Sequence, residues 1–483
     1  MDGEEFKRLT SMRTNHISEL ARSVVGNERI RRARGAIGPI YRATLYNLVQ
    51  PVQNRVRFRR RLSDVPQYDL DDRNVLFVAV DCLRNDHLSR AGYDRETTPF
   101  LDSVGNYYPN CASAASWTYS SVPSILTGMY PHNHGAVFES KFRNEGMDTP
   151  PTRVREDVYT LPEVLAKEGY DTYLSTAIAT AELPVRGRFK NANIYHDSHY
   201  NEPAEDMVDH LLEWWDSADG PRFGYVHLGD LHTHLRRPEM KPFGEIPNIP
   251  DVEHWDFTHT TEPEDKFKAY RQAKLKLYDS NLRYVDDQIR RLFGALSVRD
   301  ELDDTLIVVV GDHGEEFWER VELERNHFKD PRGIYGTGHG HALIPEVLFV
   351  PLIIVGGSDR QTTEWTSTTD IVPTTLAELS ASNKLLSSLD GVPLQDPVPD
   401  RGVLAEEIAY GYDQQAVVRD GHLLIHSPHE NETVVLDIAT DKLVDDPELA
   451  SKLKADLADE KHVGTAAGLD SKTEERLTDL GYI

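Results

Sequence analysis

The chain has 483 residues, 39 % of them hydrophobic, with a mean hydropathy of −0.52 and a net charge of −27 at neutral pH. This length is sufficient for a large core, and no apolar run approaches the roughly 18 residues of a transmembrane helix. The strongly negative balance argues against nucleic acid as the main substrate.

Two features of the sequence predict a cytoplasmic protein. The chain has only two cysteines, Cys82 and Cys111, which are too few for a disulfide framework and lie in apolar segments. The first residues, MDGEEFKRL, lack the apolar stretch of a signal peptide. We therefore expect reduced thiols and a cytoplasmic location.

The charge is unevenly distributed along the chain. Residues 1–66 carry 14 Lys and Arg against 6 Asp and Glu, which gives +8 and leaves −35 for the remainder. Helical spacing of Ile17, Leu20 and Val24 predicts that this segment is a basic helical N-terminal arm. The arm could contact an anionic membrane face, a second subunit of a homo-oligomer or its own acidic body, and we favour the last two. Solubility in high salt is one explanation for the acidic remainder.

From Asn74 onwards, the pattern alternates between strands and helices. The run NVLFVAVD, Asn74–Asp81, is apolar without alternation and ends on an acid, which predicts a strand buried on both faces. The later runs Phe223–Asp230 and Leu306–Gly311 are also mainly apolar without alternation, which predicts buried strands. Asp312-His313 follows Leu306–Gly311 directly. Further strands are predicted at Asp171–Thr176 and Val350–Val355, and helices at Thr98–Leu101, Thr160–Glu168, Pro203–Trp215 and Leu275–Leu296.

This alternation predicts an α/β fold with a mainly parallel sheet and helices on both faces. Ligands of such sheets bind beyond the carboxyl ends of the strands, so Asp81, Asp230 and Asp312 would build a pocket at one edge. After about Pro399, short strands and a charged helical tail predict a small C-terminal α+β subdomain. The predicted domains are the arm at 1–66, a catalytic domain at 67–400 and the subdomain at 401–483.

Five clusters of polar residues lie at or near the predicted strand ends. Carboxylates and imidazoles bind divalent cations, and a hydroxyl at a helix start can ligate a cation, lose its proton and attack. A helix N-terminus and spare histidines can hold an anion or protonate a leaving group. The clusters therefore predict metal-assisted ester cleavage, although each alone also fits an ordinary cap or loop. They are Asp81 with Arg84 and Asp86; the hydroxyl-rich run Ser116–Gly128 followed by Tyr130–Gly135; Gly311–Glu315; Gly338–His341; and Asp230–His234.

Short motifs that resemble those of one enzyme family follow one another in order between about residues 70 and 483. They are Asp81–Leu88, Gly92-Tyr93, Thr97–Pro99, Leu126–Gly135, Thr160–Pro162, Gly169-Tyr170, Asp312–Glu315, Val350–Leu352, Asp370–Thr374, Leu436-Asp437 and Leu480–Tyr482. Together they resemble the sulfatase branch of the alkaline phosphatase superfamily. The resemblance implies an alkaline-phosphatase-like fold and a metal-dependent ester hydrolase or transferase.

The resemblance also indicates where the nucleophile lies. The family places it nine residues before the Thr of a Thr-Gly pair, and counting back from Thr127 gives Thr118. Ser121 fits a Ser-x-Pro motif but lies only six residues before Thr127, so it is the alternative nucleophile. Thr is not converted to formylglycine, so no formylglycine is expected. The resemblance then implies a preference for phosphate esters, although sulfate esters stay open.

A metal centre is implied by the same resemblance. Asp81, Asp312 and His313 would bind one divalent cation, Mn²⁺, Mg²⁺ or Ca²⁺, with Zn²⁺ as a further option, and Thr118 would complete its shell. Cys82 stands where the family often has a second Asp, so we expect a site with fewer ligands.

Other polar residues are assigned to the substrate by the resemblance. His232 and His341 would hold the anion, one of them protonating the leaving oxygen, and Arg84 would orient Asp81 or the substrate. Three further residues, Asp230, His234 and His339, are candidates for a second metal or for substrate contacts.

The sequence therefore predicts a metal-dependent, sulfatase-like hydrolase or transferase. Its substrate would be an anionic ester, either a small molecule or one linked to a glycan or lipid. Two alternatives stay open. One is a two-metal phosphatase or phosphodiesterase in which Asp230, His232 and either His339 or His341 hold a second ion. The other is a catalytically silent binding protein with the same fold.

Overall fold

A computed structural model describes residues 54–138, 151–194, 202–254, 265–458, 461–469, 473–474 and 477–478. The chain divides into two units, Met1–Gln53 and Asn54–Ile483. Most of the predicted basic arm, and the closing motif Leu480–Tyr482, lie outside the described residues. None of the helices in the described ranges combines the length and hydropathy needed to cross a bilayer.

The second unit is built from strands and helices that are numbered in chain order. The strands are β1 (Asn74–Val80), β2 (Asn106–Tyr108), β3 (Cys111–Ala112), β4 (Asp171–Thr176), β5 (Asn191–Ile194), β6 (Arg222–Leu228), β7 (Thr305–Gly311), β8 (Glu316–Phe317), β9 (Thr337–Gly338), β10 (Leu352–Val355), β11 (Thr366–Ser367), β12 (Val403–Glu406), β13 (Gln415–Arg419), β14 (His422–Ser427), β15 (Glu432–Asp437) and β16 (Lys442–Leu443). The helices are α1 (54–62), α2 (Thr118–Thr127), α3 (Pro131–His134), α4 (Leu161–Lys167), α5 (Ala179–Glu182), α6 (Ala204–Ser217), α7 (Asp265–Val298), α8 (Val321–His327), α9 (Pro345–Leu348), α10 (Ile371–Glu378), α11 (Asn383–Leu386) and α12 (Pro447–Lys454).

The central sheet has seven strands in the order β2-β10-β7-β1-β6-β4-β5. From β7 to β5 the neighbouring strands are parallel, whereas β10 is antiparallel to both β7 and β2. Strands β7, β1 and β6 are the three central strands of the sheet, and nearly all of their residues are buried. The predicted mainly parallel sheet is confirmed.

Helices cover both faces of this sheet. Alternate residues of β1 point to opposite sides, so Val75 and Phe77 pack with helices α2, α4 and α10 on one face. On the other face, Leu76 and Val78 pack with α6 and α7. Burial on both faces explains why the central strands have no polar alternation in the sequence.

The longest helix extends beyond its predicted start. Helix α7 has 34 residues, beginning at Asp265 rather than Leu275. Its predicted apolar stripe is buried, and the stripe continues towards the N-terminus through Tyr270 and Ala273. The many Lys and Arg residues around these two positions obscured the periodicity. The helix predicted from Thr98 is only a 3₁₀ turn, Leu101–Ser103.

A separate antiparallel sheet follows at the C-terminal end. Its five strands are ordered β12-β13-β14-β15-β16, and each pairs with its neighbour in sequence. Alternate residues of these strands form an apolar cluster with Val347 and Leu348 of α9. The predicted change of pattern after Pro399 therefore corresponds to a change from parallel to antiparallel structure. The predicted domain boundaries stay predictions.

A buried carboxylate ties α1 and α4 to the rest of the unit. Glu163 of α4 is fully buried, and its Oε2 accepts hydrogen bonds from the backbone N–H and the hydroxyl of Thr160, each at 2.9 Å. Arg188 Nη1 donates to the same oxygen at 2.9 Å, and Arg61 of α1 pairs with Oε1. Because each oxygen of this carboxylate contacts a guanidinium group, its negative charge is needed to offset the two positive charges.

We predict that Glu163→Gln lowers the free energy of unfolding by about 3 kcal/mol, because it leaves the buried Arg188 without its counter-charge. Chemical denaturation would measure this difference. Glu213→Gln on the exposed face of α6 is the matched control and should change stability by less than about 0.5 kcal/mol. Equal free energies of unfolding for Glu163→Gln and Glu213→Gln would contradict the stabilising role assigned to Glu163.

Candidate active site

The carboxyl ends of β1 and β7 bring two predicted acids together. Asp81 follows β1 directly, and Asp312 follows β7 directly. The Asp81 N–H donates to Leu228 O of β6 at 2.9 Å, and the Asp312 N–H donates to Val80 O of β1 at 3.4 Å. Strand pairing therefore continues one residue past each strand and fixes both carboxylates at the same edge.

His313 completes a group of three buried side chains with these acids. Its Nδ1 donates to Gly314 O at 2.8 Å, so Nε2 faces the acids, lying 3.2 Å from Asp81 Oδ1 and 3.6 Å from Asp312 Oδ2. All three side chains are fully buried, and their ligand atoms lie within 4.8 Å of one another. These are the three residues predicted to bind the cation.

The geometry and charge of this group fit a divalent cation. Ligands about 2.0 Å from an ion in tetrahedral geometry lie about 3.3 Å apart, close to the separations between His313 Nε2 and the two carboxylates. Asp81 Oδ2 and Asp312 Oδ2 are buried and have no hydrogen-bond partner among the described residues. Each of the two carboxylates therefore keeps an unpartnered oxygen that a cation could bind.

The protonation states reflect the same concentration of charge. Burial alone would raise the pKa of Asp81, but His232, His313 and His227 lower it well below its usual range. Burial opposes protonation of His313, yet Asp312 and Asp81 raise its pKa to about 9. Without a cation, protonated imidazole therefore offsets the charge of the carboxylates.

Thr118 lies beside this group at the start of α2. It is the first residue of the helix, it is 3 % exposed, and its Oγ1 is 3.1 Å from His313 Nε2. The Ser121 hydroxyl instead donates to Trp117 O within the same helix at 2.6 Å. One helical turn thus separates a hydroxyl at the group from one that satisfies the helix backbone.

Two histidines and a glutamate form the other side of the site. The imidazole of His339 lies 4.4 Å from that of His313 and 5.1 Å from that of His232, measured between ring centroids. His339 Nδ1 is 3.0 Å from Glu315 Oε1, and His232 Nδ1 pairs with Thr233 O. The His339 ring therefore contacts the rings of both His313 and His232.

His341 does not point to this site, contrary to the prediction. Its Nε2 is 2.9 Å from both Glu316 Oε2 and Glu324 Oε1, in a buried cluster of its own. Although burial alone would lower it, Glu324 and Glu316 raise the pKa of His341 well above its usual range. His339, two residues earlier, occupies the position expected for His341.

The guanidinium of Arg84 also differs from its predicted role. It forms a bidentate pair with Asp86, at 2.9 and 2.7 Å, and donates to Glu319 Oε1 at 3.1 Å. It further donates to Glu315 O at 3.0 Å. With these contacts, Arg84 holds the backbone of Glu315 behind the site rather than orienting Asp81.

Of the residues predicted for a second metal, His232 and His339 are neighbours, whereas Asp230 and His234 make other contacts. Asp230 Oδ1 accepts the N–H of Ala204, the first residue of α6, at 3.3 Å, and burial raises the pKa of Asp230 to about 6. The His234 ring packs on His254, with centroids 4.2 Å apart. Asp230 is absent from every group of potential metal ligands found in the described ranges.

One buried histidine at the site was not among the predicted residues. His227 of β6 is fully buried, with Nε2 3.4 Å from Asp312 Oδ2. A histidine inside an otherwise apolar strand was the available signal. Cys82, which stands where the family often has a second Asp, has its Sγ 3.3 Å from Asp81 Oδ1 and 3.6 Å from His339 Nδ1.

Several known proteins resemble this chain in sequence. The model of the family described as Sulfatase matches residues 73–380. An arylsulfatase of Clostridium perfringens is 23 % identical over 412 residues, covering 70 % of this chain and 81 % of that protein. The low-salt glycan biosynthesis sulfotransferase Agl7 of Haloferax volcanii is 26 % identical over 60 % of this chain and 58 % of its own length. Phosphoethanolamine transferase EptA of Salmonella typhimurium is 24 % identical over 60 % of this chain. The match spans 48 % of EptA, so the chain covers about half of each of these two transferases.

Solved structures show the same fold. A phosphonate monoester hydrolase of Agrobacterium radiobacter superposes with a TM-score of 0.58 at 17 % identity, covering 79 % of this chain and 94 % of that one. A member of the alkaline phosphatase superfamily from Vibrio parahaemolyticus gives 0.53 at 15 % identity, covering 84 % and 93 %. The predicted alkaline-phosphatase-like α/β fold is confirmed.

We predict that Asp312→Asn removes the bound cation, since it deletes one of two orphaned carboxylates. Metal analysis of the purified protein after dialysis against a divalent cation would give close to one equivalent for the wild type and far less for the variant. Asp230→Asn is the matched control and should keep the wild-type content, because Asp230 caps α6. Loss of one of two equivalents in Asp230→Asn would instead support a second ion at Asp230.

Proposed function

Because the chain belongs to the sulfatase family, we propose that it is a hydrolase or transferase of phosphate or sulfate esters that uses Thr118 as its nucleophile. The observation that carries this proposal is the position of Thr118 Oγ1, at the start of a buried helix and 3.1 Å from the His313 imidazole. The hydroxyl thus lies beside the two orphaned carboxylates, where an anionic ester and a cation would meet.

The chain's own residues fit a divalent cation in this site. Asp81, Asp312 and His313 would hold it, with Thr118 beside them. When bound, the cation would stabilise charge on the ester oxygens and favour loss of the hydroxyl proton. The backbone carbonyl of Gly314 orients His313 for this task, and His227 Nε2 lies 3.4 Å from Asp312 Oδ2.

In the first step of the proposed reaction, Thr118 Oγ attacks phosphorus or sulfur in line with the departing alcohol. The new bond from Oγ forms as the bond to the alcohol oxygen breaks, and the net proton movement is from the Thr118 hydroxyl to the departing oxygen. His339 or His232 delivers the latter proton. In the second step, water or an acceptor alcohol attacks the same centre and regenerates the Thr118 hydroxyl.

The N-terminus of α2 contributes to binding the anion. Its first backbone N–H groups have no partner within the helix, and they converge at the residue that carries the nucleophile. The helix is buried throughout, so these donors act where water does not compete with them. This arrangement favours any tetrahedral anion that can reach Thr118.

The side chain of Thr118 favours phosphate over sulfate esters. Sulfatase chemistry by the formylglycine route requires a Cys or Ser that is oxidised to an aldehyde, and Thr118 does not provide one. The relative named phosphoethanolamine transferase supports a phosphate ester as the substrate of this chain. The relative named for glycan biosynthesis, a sulfotransferase, supports an organic part linked to a glycan.

Cellular location and assembly form a separate part of the proposal. We place the protein in the cytoplasm because of its two reduced, buried cysteines. The basic arm would contact the acidic surface of a second subunit, and peripheral contact with a membrane face is the alternative.

We predict that Thr118→Ala lowers kcat/KM for para-nitrophenyl phosphate about a thousandfold or more, because it removes the attacking oxygen. Thr118→Ser keeps a hydroxyl and should retain most of the activity. Ser121→Ala is the matched control and should stay within about twofold of the wild type, since its hydroxyl serves the helix backbone. Initial rates measured on para-nitrophenyl phosphate and para-nitrophenyl sulfate would show these differences.

Two results would overturn the nucleophile assignment or the enzyme hypothesis. Sulfate turnover faster than phosphate turnover and abolished by Ser121→Ala would make Ser121 the nucleophile. No turnover of phosphate monoesters, phosphate diesters or sulfate esters by protein loaded with a divalent cation would support a silent binding protein.

A separate prediction concerns the general acid. His339→Gln should lower kcat/KM for an alkyl phosphate about a hundredfold, because an alkoxide needs a proton as it leaves. The effect on a para-nitrophenyl ester should be only a few-fold, because nitrophenolate leaves without one. His341→Gln is the control, and any effect it has should be equal for both esters. An equal loss on both esters in His339→Gln would argue against proton donation by His339.

A further inference from the structure

Cys82 lies where its sulfur faces the candidate metal site. The residue adopts a left-handed backbone conformation, with φ of 58°, immediately after Asp81, and its side chain is fully buried. Its Sγ is 3.3 Å from Asp81 Oδ1 and 3.6 Å from His339 Nδ1. Cys82, His313 and His339 also form a group whose ligand atoms lie within 4.8 Å of one another. This backbone conformation therefore directs the Cys82 sulfur, a soft donor, to the carboxylate of Asp81.

A second observation points to a cation at the same place. Glu315 is 1 % exposed and contacts His339 Nδ1 through Oε1, while its Oε2 is buried without a hydrogen-bond partner among the described residues. Asp81 Oδ2, next to Cys82, is orphaned in the same way. Buried carboxylate oxygens without donors near a thiol are expected where a positive ion binds.

The separation of sulfur from oxygen also suits shared coordination. A thiolate about 2.3 Å from a tetrahedral ion and a carboxylate oxygen about 2.0 Å from it lie about 3.5 Å apart. The distance from Cys82 Sγ to Asp81 Oδ1, 3.3 Å, is close to this value. The contact is a hydrogen bond donated by the Cys82 thiol, and an ion that replaces the thiol proton can contact both atoms without a rearrangement of the backbone.

We propose that Cys82 is a sulfur ligand of the cation held by Asp81, Asp312 and His313, so that this site selects a thiophilic ion such as Zn²⁺ over Mg²⁺ or Ca²⁺. Binding breaks the S–H bond, forms a sulfur–metal bond and releases the proton to solvent, with no change of oxidation state. This inference rests on the metal site of the proposed function, and it narrows the choice of ion.

The other cysteine of the chain provides an internal comparison. Cys111 lies in β3, where its backbone pairs with Thr366 of β11 and its carbonyl accepts the N–H of Val350. It belongs to the apolar cluster on one face of the sheet and to none of the candidate metal groups of the described residues. Because the sequence contains only these two cysteines, a metal–thiolate signal must come from one of them.

Cobalt spectroscopy tests the proposal directly. The full chain, stripped of metal by a chelator, would be titrated with Co²⁺ while the d–d bands and the near-ultraviolet sulfur-to-cobalt charge-transfer band are recorded. We expect both in the wild type and in Cys111→Ser. Cys82→Ser should keep the d–d bands at one equivalent and lose the charge-transfer band. Zn²⁺ should displace the cobalt near stoichiometry, whereas Mg²⁺ or Ca²⁺ should not do so even at about a thousandfold excess.

The outcomes separate this inference from the proposed function. Wild-type d–d bands without charge transfer would overturn the sulfur ligand and leave the metal site intact. A charge-transfer band that survives Cys82→Ser and disappears in Cys111→Ser would overturn it as well. Failure of wild type to bind any Co²⁺ would instead contradict the metal site itself. If Cys82→Ser does not fold, the wild type and Cys111→Ser still decide between these outcomes.

Discussion

Two carboxylates buried at the ends of neighbouring parallel strands are the constraint on which this structure depends. Asp81 and Asp312 are fixed by backbone hydrogen bonds one residue past β1 and β7, and each keeps one oxygen without a partner among the described residues. Burying two such charges costs free energy unless positive charge offsets them. The raised pKa of His313 supplies that charge in the absence of a cation. A divalent ion would supply more of it, and the site is built around that requirement.

The proposed chemistry follows from the way α2 begins at this edge. The same helix carries Thr118 at its first position and Ser121 one turn later, and only the first hydroxyl faces His313. A choice between two adjacent hydroxyls thus separates a direct metal-assisted displacement from the formylglycine route of other sulfatases. On the opposite side, His339 takes the place that spacing had suggested for His341, because Glu316 and Glu324 hold the latter in a separate cluster.

The sequence predicted most of the fold because burial leaves a periodic trace. The central strands lack polar alternation since both faces are covered, and the stripe of α7 from Tyr278 to Leu296 is buried as its spacing indicated. Site residues at strand ends were predictable for the same reason. The orientation of the side chains was not predictable. Asp230 caps α6 and Arg84 pairs with Asp86 through contacts that sequence spacing does not encode. Cys82 turns towards Asp81 because of its left-handed backbone conformation, which spacing does not encode either. The role of His227, inside an apolar strand, was not predictable because the neighbouring acid, Asp312, is distant in sequence.

Trapping the covalent adduct tests the central claim most directly. Metal-loaded protein would be quenched in acid during turnover of an aryl phosphate, digested, and the peptide that spans α2 sequenced by mass spectrometry. If Thr118 is the nucleophile, we expect a phosphoryl group on Thr118 and an unmodified Ser121. A phosphoryl group on Ser121, or an aldehyde at Ser121 with Thr118 unmodified, would contradict it.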